Sequence, residues 1–259
     1  MAIAKRHGFT DFQIADWEVL MTIAAITNAI PISFWMLSYI LADPELASSV
    51  LDELKPVVAI KELDGVKTAE IDAALIRVQC PLLISIWEEL LRFTSQPTLG
   101  RSVTKEIVLN NEYLLKAGGV VQIPTGIPQS DASFWGPDSA ILNPRRFIKK
   151  DEKLNREERE QKKLQNRAYT PFGGGKNLCP GRHIAANETL SFVSMMIYAF
   201  SITNKDGTHF KVIEAAQKAF GASVPKAEND VEVVIKRREE LRGVKLGFAA
   251  GDSSQDSSG

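Results

Sequence analysis

Cysteine is almost absent: 259 residues carry two, Cys80 and Cys179. Two thiols build no disulfide framework, and neither belongs to a C-x-x-C pair of the kind that holds zinc. Such scarcity fits a reducing compartment. An excess of one charge is lacking too. Lys and Arg number 31 against 32 Asp and Glu, for a net charge of −1. No basic patch is interleaved with aromatics, so the electrostatic footprint of a nucleic-acid-binding protein is missing. The opening MAIAKRHGFTDFQIADW mixes charged and polar residues where a secretory signal needs an apolar run. No flavin or nicotinamide motif is present. The glycine run GGGK suggests a phosphate loop and fails at two positions. Thr170 stands where that motif needs its first glycine, and Asn177 stands where Ser or Thr should follow the lysine. No segment repeats.

What is present describes a soluble, mainly α protein with small β-sheets. Hydrophobic residues make up 44% and charged residues 24%, enough for one large core or two smaller ones. The longest uncharged run, residues 19–42 (VLMTIAAITNAIPISFWMLSYILA), is long enough to cross a bilayer. Thr27, Asn28, Pro31, Ser33 and Ser38 lie through its middle, where polar groups are costly in lipid. The run alone therefore leaves a membrane span and a long buried helix both open. Downstream, ADPELASSVLDELKPVVAI reads as a helix with an acidic start. AEIDAALIRV and CPLLISIWEELLRFTS read as two more, with Pro81 suited to a first turn. Residues 101–125 change to short alternating runs broken by NNE and AGG, a strand pattern with turns. SFWGPDSAILNPRRF is an irregular loop, and the charge block KKDEKLNREEREQKKLQNR is a solvated loop or surface helix. RHIAANETLSFVSMMIYAFSI has apolar positions at helical spacing. A small strand region from VEVVI to VKLGF ends the fold, and residues 251–259 form a flexible tail.

One short stretch carries chemistry. FGGGKNLCPGR, residues 172–182, sets a single cysteine behind three glycines and ahead of a Pro-Gly pair. A plain structural loop with a buried thiol is one reading. A metal ligand is the other: glycines let the backbone lie against a flat cofactor without Cβ clashes. A helix starting after Pro180 would turn backbone N–H groups toward a negative ligand. A lone sulfur ligand in such a cradle suits haem iron.

The same residues resemble the haem-binding loop of cytochrome P450 monooxygenases, with Phe172, Gly173, Gly175, Cys179 and Gly181 on its key positions. The resemblance implies haem b with the Cys179 thiolate as axial ligand. It departs at Asn177, where relatives carry a basic residue; a propionate salt bridge gives way there to a weaker neutral hydrogen bond. Further motifs follow the family's order. Glu89 and Arg92 in EELLR resemble its E-x-x-R pair, joined by Arg146 from NPRRF; by themselves they would read as a surface ion pair. The resemblance makes these three a buried structural unit and makes Arg101 a strand arginine that reaches a propionate. It also makes residues 19–42 the long central helix crossing the distal face of the haem. The acid–alcohol pair that relatives use to deliver protons falls on Thr27 and Asn28, without a carboxylate, and Pro31 should bend the helix. The pattern TNAIPISFW is similar to the branch that holds prostacyclin synthase and the sterol 7α- and 12α-hydroxylases.

The resemblance implies a cytochrome P450 fold, C-terminal half only, with a partial haem domain over residues 1–250. A full-length member is about twice as long, so the chain reads as a truncated one that is inactive alone. The implied activity is monooxygenation of a lipophilic small molecule such as a sterol, lipid or secondary metabolite. Electrons would come from a separate NADPH-dependent flavin reductase. A full-length relative would sit on the cytosolic face of the endoplasmic reticulum membrane, attached only through the N-terminal part that is missing here. The alternatives are a haem-thiolate isomerase of a peroxide, a non-catalytic haem-binding fragment and, should residues 19–42 insert, a membrane-spanning structural protein.

Overall fold

The computed structural model describes residues 2–149, 154–216 and 223–249. Helix α1 (Ala2–Arg6) leads into a long rod made of α2 (Asp11–Ala24), a π-helical turn (Ala25–Ala29) and α3 (Ile30–Ala42). Helix α4 (Pro44–Leu54) follows, then strands β1 (Val58–Leu63) and β2 (Val66–Ile71) and helices α5 (Ala73–Gln79) and α6 (Pro81–Thr94). Four strands come next: β3 (Thr98–Ser102), β4 (Ile107–Leu109), β5 (Tyr113–Leu115) and β6 (Val120–Pro124). Short helices α7 (Gly126–Ser130) and α8 (Ala132–Trp135) precede α9 (Arg156–Ala168) and α10 (Arg182–Ala199). Strands β7 (Phe200–Asn204), β8 (Val233–Arg237) and β9 (Lys245–Phe248) complete the described chain. The tail at 251–259 lies outside the described residues.

The π turn has a visible cause. Pro31 removes a backbone donor, and a widened turn sets carbonyls out of register with the ladder. Side chains make up the bonds: Thr27 Oγ1 donates to the Ile23 carbonyl at 2.8 Å, Asn28 Nδ2 to Ala24 at 3.0 Å and Ser33 Oγ to Ala29 at 2.7 Å. The rod's two halves then diverge. In α3, Ile32, Trp35, Met36 and Ile40 are buried. They pack in one core with Val50 and Leu54 of α4, Leu83, Ile86 and Leu90 of α6, and Leu190 and Val193 of α10. In the first half Phe12, Trp17, Leu20, Ile23 and Ile26 are exposed. The rod is long and apolar enough to cross a membrane, yet α3 spends its apolar side chains on the protein's own core.

Small sheets lie around these helices, and here the structure corrects the sequence reading. The helix expected to reach Ile60 stops at Leu54, and residues 58–63 pair instead with β2 in an antiparallel hairpin. Asp64 and Gly65 turn it, with φ of 51° and 75°, as an Asp-Gly turn demands. The AEI expected at a helix start belongs to β2; Asp72 caps α5, its carboxylate accepting from the N–H groups of Ala74 and Leu75. The two last strands do not form one sheet. β9 adds in parallel to β2, whereas β8 pairs with β7, a strand that takes the FSI expected at the end of a helix. The strands at 98–124 agree with their pattern: β3 pairs with β6, and β4 with β5 across Asn110 and Asn111, both at positive φ. Residues 156–167 of the charge block lie in α9, where Asn155 and Glu158 make a reciprocal capping box at the surface.

The burial contrast along the rod can be tested by truncation. Ile40, fully buried, should cost about 2–5 kcal/mol as Ile40→Ala in urea unfolding. Ile23, half exposed, should cost about 0.5 kcal/mol or less as Ile23→Ala. Equal costs would refute the packing described for α3.

Candidate functional site

At the centre of the fold a carboxylate is enclosed by donors. Glu89 and Arg92, one turn apart on α6, are both fully buried. Arg92 donates through Nε to Oε2 and through Nη2 to Oε1, each at 2.8 Å, a bidentate fork. Arg146 reaches the same carboxylate through Nε at 3.0 and 3.1 Å, and the Asn143 N–H adds a fifth contact at 2.9 Å. Both guanidinium groups donate further. Arg92 Nη1 donates to the carbonyls of Gln129 and Ser139, and Arg146 Nη1 to the Trp135 carbonyl and to Asp138 Oδ1. That bond holds the Asp138 carboxyl below its ordinary value. Two acids and two arginines thus close a neutral set that staples α6 to the loop at 135–147. The Arg92 guanidinium also lies 5.3 Å over the Trp135 ring.

From this staple the hydrogen bonds run to the glycine loop. Gln129, fully buried, donates to the Ser95 carbonyl at 2.6 Å and accepts from the Thr170 N–H at 3.3 Å; Ser95 Oγ donates to the Pro171 carbonyl. Beyond Pro171 the chain closes on itself: Gly173 N–H bonds to the Thr170 carbonyl, and Cys179 N–H to the Phe172 carbonyl, both at 3.0 Å. Gly173 and Gly175 have φ of 78° and 66°, conformations that L side chains rarely adopt. A Cβ on Gly173 would also sit 3.4 Å from Leu99 Cδ2. Phe172 is half-buried against the core, Asn177 is exposed, and Gly181 lies beside Cys179, where a Cβ would be 3.9 Å from Sγ. Arg101 on β3 reaches the loop and donates to the Gly174 carbonyl at 3.1 Å.

These residues fit a haem. The Cys179 side is half-buried, so its sulfur is neither free in water nor sealed in the core. Gly174 and Gly175 have nothing within 4 Å where a Cβ would stand, which leaves the loop a side-chain-free face for a flat ring. Among the described residues no group of three or more His, Cys, Asp or Glu gathers. A single sulfur suits an iron whose other ligands are porphyrin nitrogens. Cys80 does not compete. It is fully buried, its Sγ donates to the Glu53 carbonyl at 3.4 Å, and burial with the nearby Glu53 charge pushes its thiol up to about 12.

The structure brings Phe172, Gly173, Gly175, Asn177, Cys179 and Gly181 into one loop and brings Arg101 to it. Glu89, Arg92 and Arg146 form a separate buried set. Thr27 and Asn28 are held in the π turn, with Asn28 Nδ2 also 3.2 Å from Thr27 Oγ1. Helix α10 links that rod to the loop. It starts three residues after Cys179, and its Thr189 lies 3.0 Å, Oγ1 to Oγ, from Ser33 of α3. Sequence reasoning missed Gln129 and Asp138. A glutamine in a short helix gives no pattern to find, but an acid shortly before NPRRF was a visible partner for Arg146.

Comparison with known proteins gives the same direction. The family model described as Cytochrome P450 matches residues 2–233. A cytochrome P450 monooxygenase of Gibberella zeae is 30% identical over 97% of this chain and 48% of its own length. The 7-alpha-hydroxycholest-4-en-3-one 12-alpha-hydroxylase of Oryctolagus cuniculus is 27% identical over 86% of this chain and 45% of its own. Prostacyclin synthase of Rattus norvegicus is 26% identical over 90% and 47%. The chain spans about half the length of these relatives.

Two predictions follow from this geometry. Arg146→Ala or Glu89→Ala should cost about 3–5 kcal/mol in denaturant unfolding, because each strands a buried charge. The double variant should cost less than the sum of the two; additive losses would show that the staple is not one unit. A thiol reagent at pH 8 should label one cysteine of the native chain and two of the denatured chain. In native Cys179→Ala it should label none, since Cys80 is buried and its thiol is protonated there.

Proposed function

Since the chain belongs to the cytochrome P450 family, we propose that it forms the cysteine-side part of a haem-thiolate monooxygenase acting on a lipophilic small molecule. The observation that carries this reading is the closed glycine loop with its half-buried Cys179, reached from β3 by Arg101. Bound haem would supply oxygen activation, with the thiolate's electron push favouring O–O cleavage.

The chain's own residues have distinct tasks in this proposal. Cys179 would supply the sulfur that holds the iron. Phe172, Gly173 and Gly175 shape the loop, and Gly181 keeps the space beside the sulfur clear. Arg101 and Asn177 are the donors for the propionates, one charged and one neutral. Thr27 and Asn28 are polar groups of the distal helix that would orient water on that side of the cofactor. The Thr27 hydroxyl is already given to the Ile23 carbonyl, and the Asn28 amide hydrogens to the Ala24 carbonyl and to Thr27 Oγ1. Glu89, Arg92 and Arg146 hold the scaffold and take no part in chemistry. Electrons come from a separate NADPH-dependent flavin reductase, and the substrate is a sterol, lipid or secondary metabolite. The complete enzyme works at the cytosolic face of the endoplasmic reticulum membrane. A second reading, isomerisation of a peroxide, has one observation in its favour: Thr27 takes the place of the acid, so no carboxylate accompanies Asn28. Turnover without the reductase would select it.

The ligand assignment has a spectroscopic test. Wild-type chain loaded with haemin, reduced and exposed to carbon monoxide should show the red-shifted Soret band of a thiolate-ligated haem. Cys179→Ala should lose that band, and Cys80→Ala should keep it. Persistence of the band in Cys179→Ala would overturn the assignment.

A further inference from the structure

The segment at 223–225 crosses the rod and is fixed at three points. The Ser223 N–H donates to Asn28 Oδ1 at 3.3 Å, and its carbonyl accepts from the Gln96 N–H at 3.2 Å. The Pro225 carbonyl accepts from the Trp35 indole N–H at 2.8 Å. Between them Val224, 3% exposed, is part of the main core. Asn28 and Trp35 are seven residues apart, about two helical turns, so both act from one side of the rod. Gln96 follows Ser95, whose hydroxyl holds the Pro171 carbonyl at the entrance to the cysteine loop. The segment therefore ties the π turn to the end of α6, where the cysteine loop is also anchored.

Asn28 suits this place for a chemical reason. Its Nδ2 donates to the Ala24 carbonyl inside the π turn while its Oδ1 accepts from Ser223. A side-chain amide donates and accepts in different directions at once. A carboxylate keeps the acceptor and loses the donor, and alanine loses both. Pro225 in turn forms a wall, with Trp35, Tyr39, Phe93 and Ile213, of a cavity of about 190 Å³. We propose that Asn28 is a positioning residue that clamps the 223–225 segment to the distal helix and so sets the shape of that aromatic cavity. Its bearing on substrate choice rests on the haem-thiolate reading; the clamp itself does not.

Hydrogen exchange of the full 259-residue chain, free of haem, tests the clamp. In Asn28→Ala the Ser223 amide should exchange about tenfold faster, the loss of one hydrogen bond, with exchange across β1 and β2 unchanged. In Asn28→Asp, which keeps the acceptor, Ser223 should stay protected. An unchanged Ser223 in Asn28→Ala overturns the proposal, as does acceleration that extends equally to β1 and β2. Haemin titration of the wild-type chain, followed by Soret absorbance, reports separately on the functional reading. A chain that takes up no haemin overturns that reading and leaves the clamp standing.

Discussion

A carboxylate cut off from water must be met by positive charge and by donors, and Glu89 is met from its own helix, from Arg146 and from the backbone of Asn143. Its position governs much else. Arg92 can turn its outer nitrogen to the carbonyls of Gln129 and Ser139 only because its inner face is held by the acid. Gln129, fixed on that side, then spans Ser95 and Thr170, and Ser95 holds Pro171. The cysteine loop thus hangs from a buried ion pair through short polar links. Replacing such a pair by apolar residues need not weaken a protein, but removing one member does. That asymmetry makes the set a registration device for the loop as well as a source of stability.

The rod shows how one apolar run serves two surroundings. Past the π turn it is core; before it, large apolar side chains face outward. Apolar surface exposed on that scale costs about 25 cal/mol per Å² relative to burial, and a net stability of about 5–15 kcal/mol leaves little room for it. The π turn sits at the junction. It holds Thr27 and Asn28 and receives the Ser33 hydroxyl at the Ala29 carbonyl, which explains why these polar side chains fall in the middle of an otherwise apolar segment.

Features coded locally were legible in the sequence. The loop at 172–182 is one contiguous motif, and Glu89 and Arg92 meet because a helix turn brings them together. Strands 98–124 showed through their Asn-Asn and Gly-Gly turns. The β1–β2 hairpin was lost because Val58-Ala-Ile and Ala69-Glu-Ile also fit helical patterns, and sheet partners override so short a preference. The Asp64–Gly65 turn was the better signal. The parallel pairing of β9 with β2 joins strands distant in the chain and had no local trace. The same holds for the bond from Ser223 to Asn28, which are 195 residues apart.

The two cysteines make the last point about how this fold assigns chemistry. Cys80 sits at the start of α6 among core side chains, where burial and Glu53 suppress its ionisation and its hydrogen goes to a carbonyl. Cys179 also precedes a helix, by three residues, yet the backbone before it is closed by bonds from Gly173 to Thr170 and from Cys179 to Phe172, with Arg101 against Gly174. Its sulfur is therefore placed by main chain and not by side-chain packing. A sulfur fixed this way would need little reorganisation to meet a rigid cofactor, and the glycine side is open where side chains would otherwise stand. Adding bulk at Gly173 would sacrifice both properties, because the new side chain would meet Leu99 and strain a left-handed backbone. The scarcity of cysteine and the local abundance of glycine are thus one design: a single thiol positioned by a loop that only glycine can form.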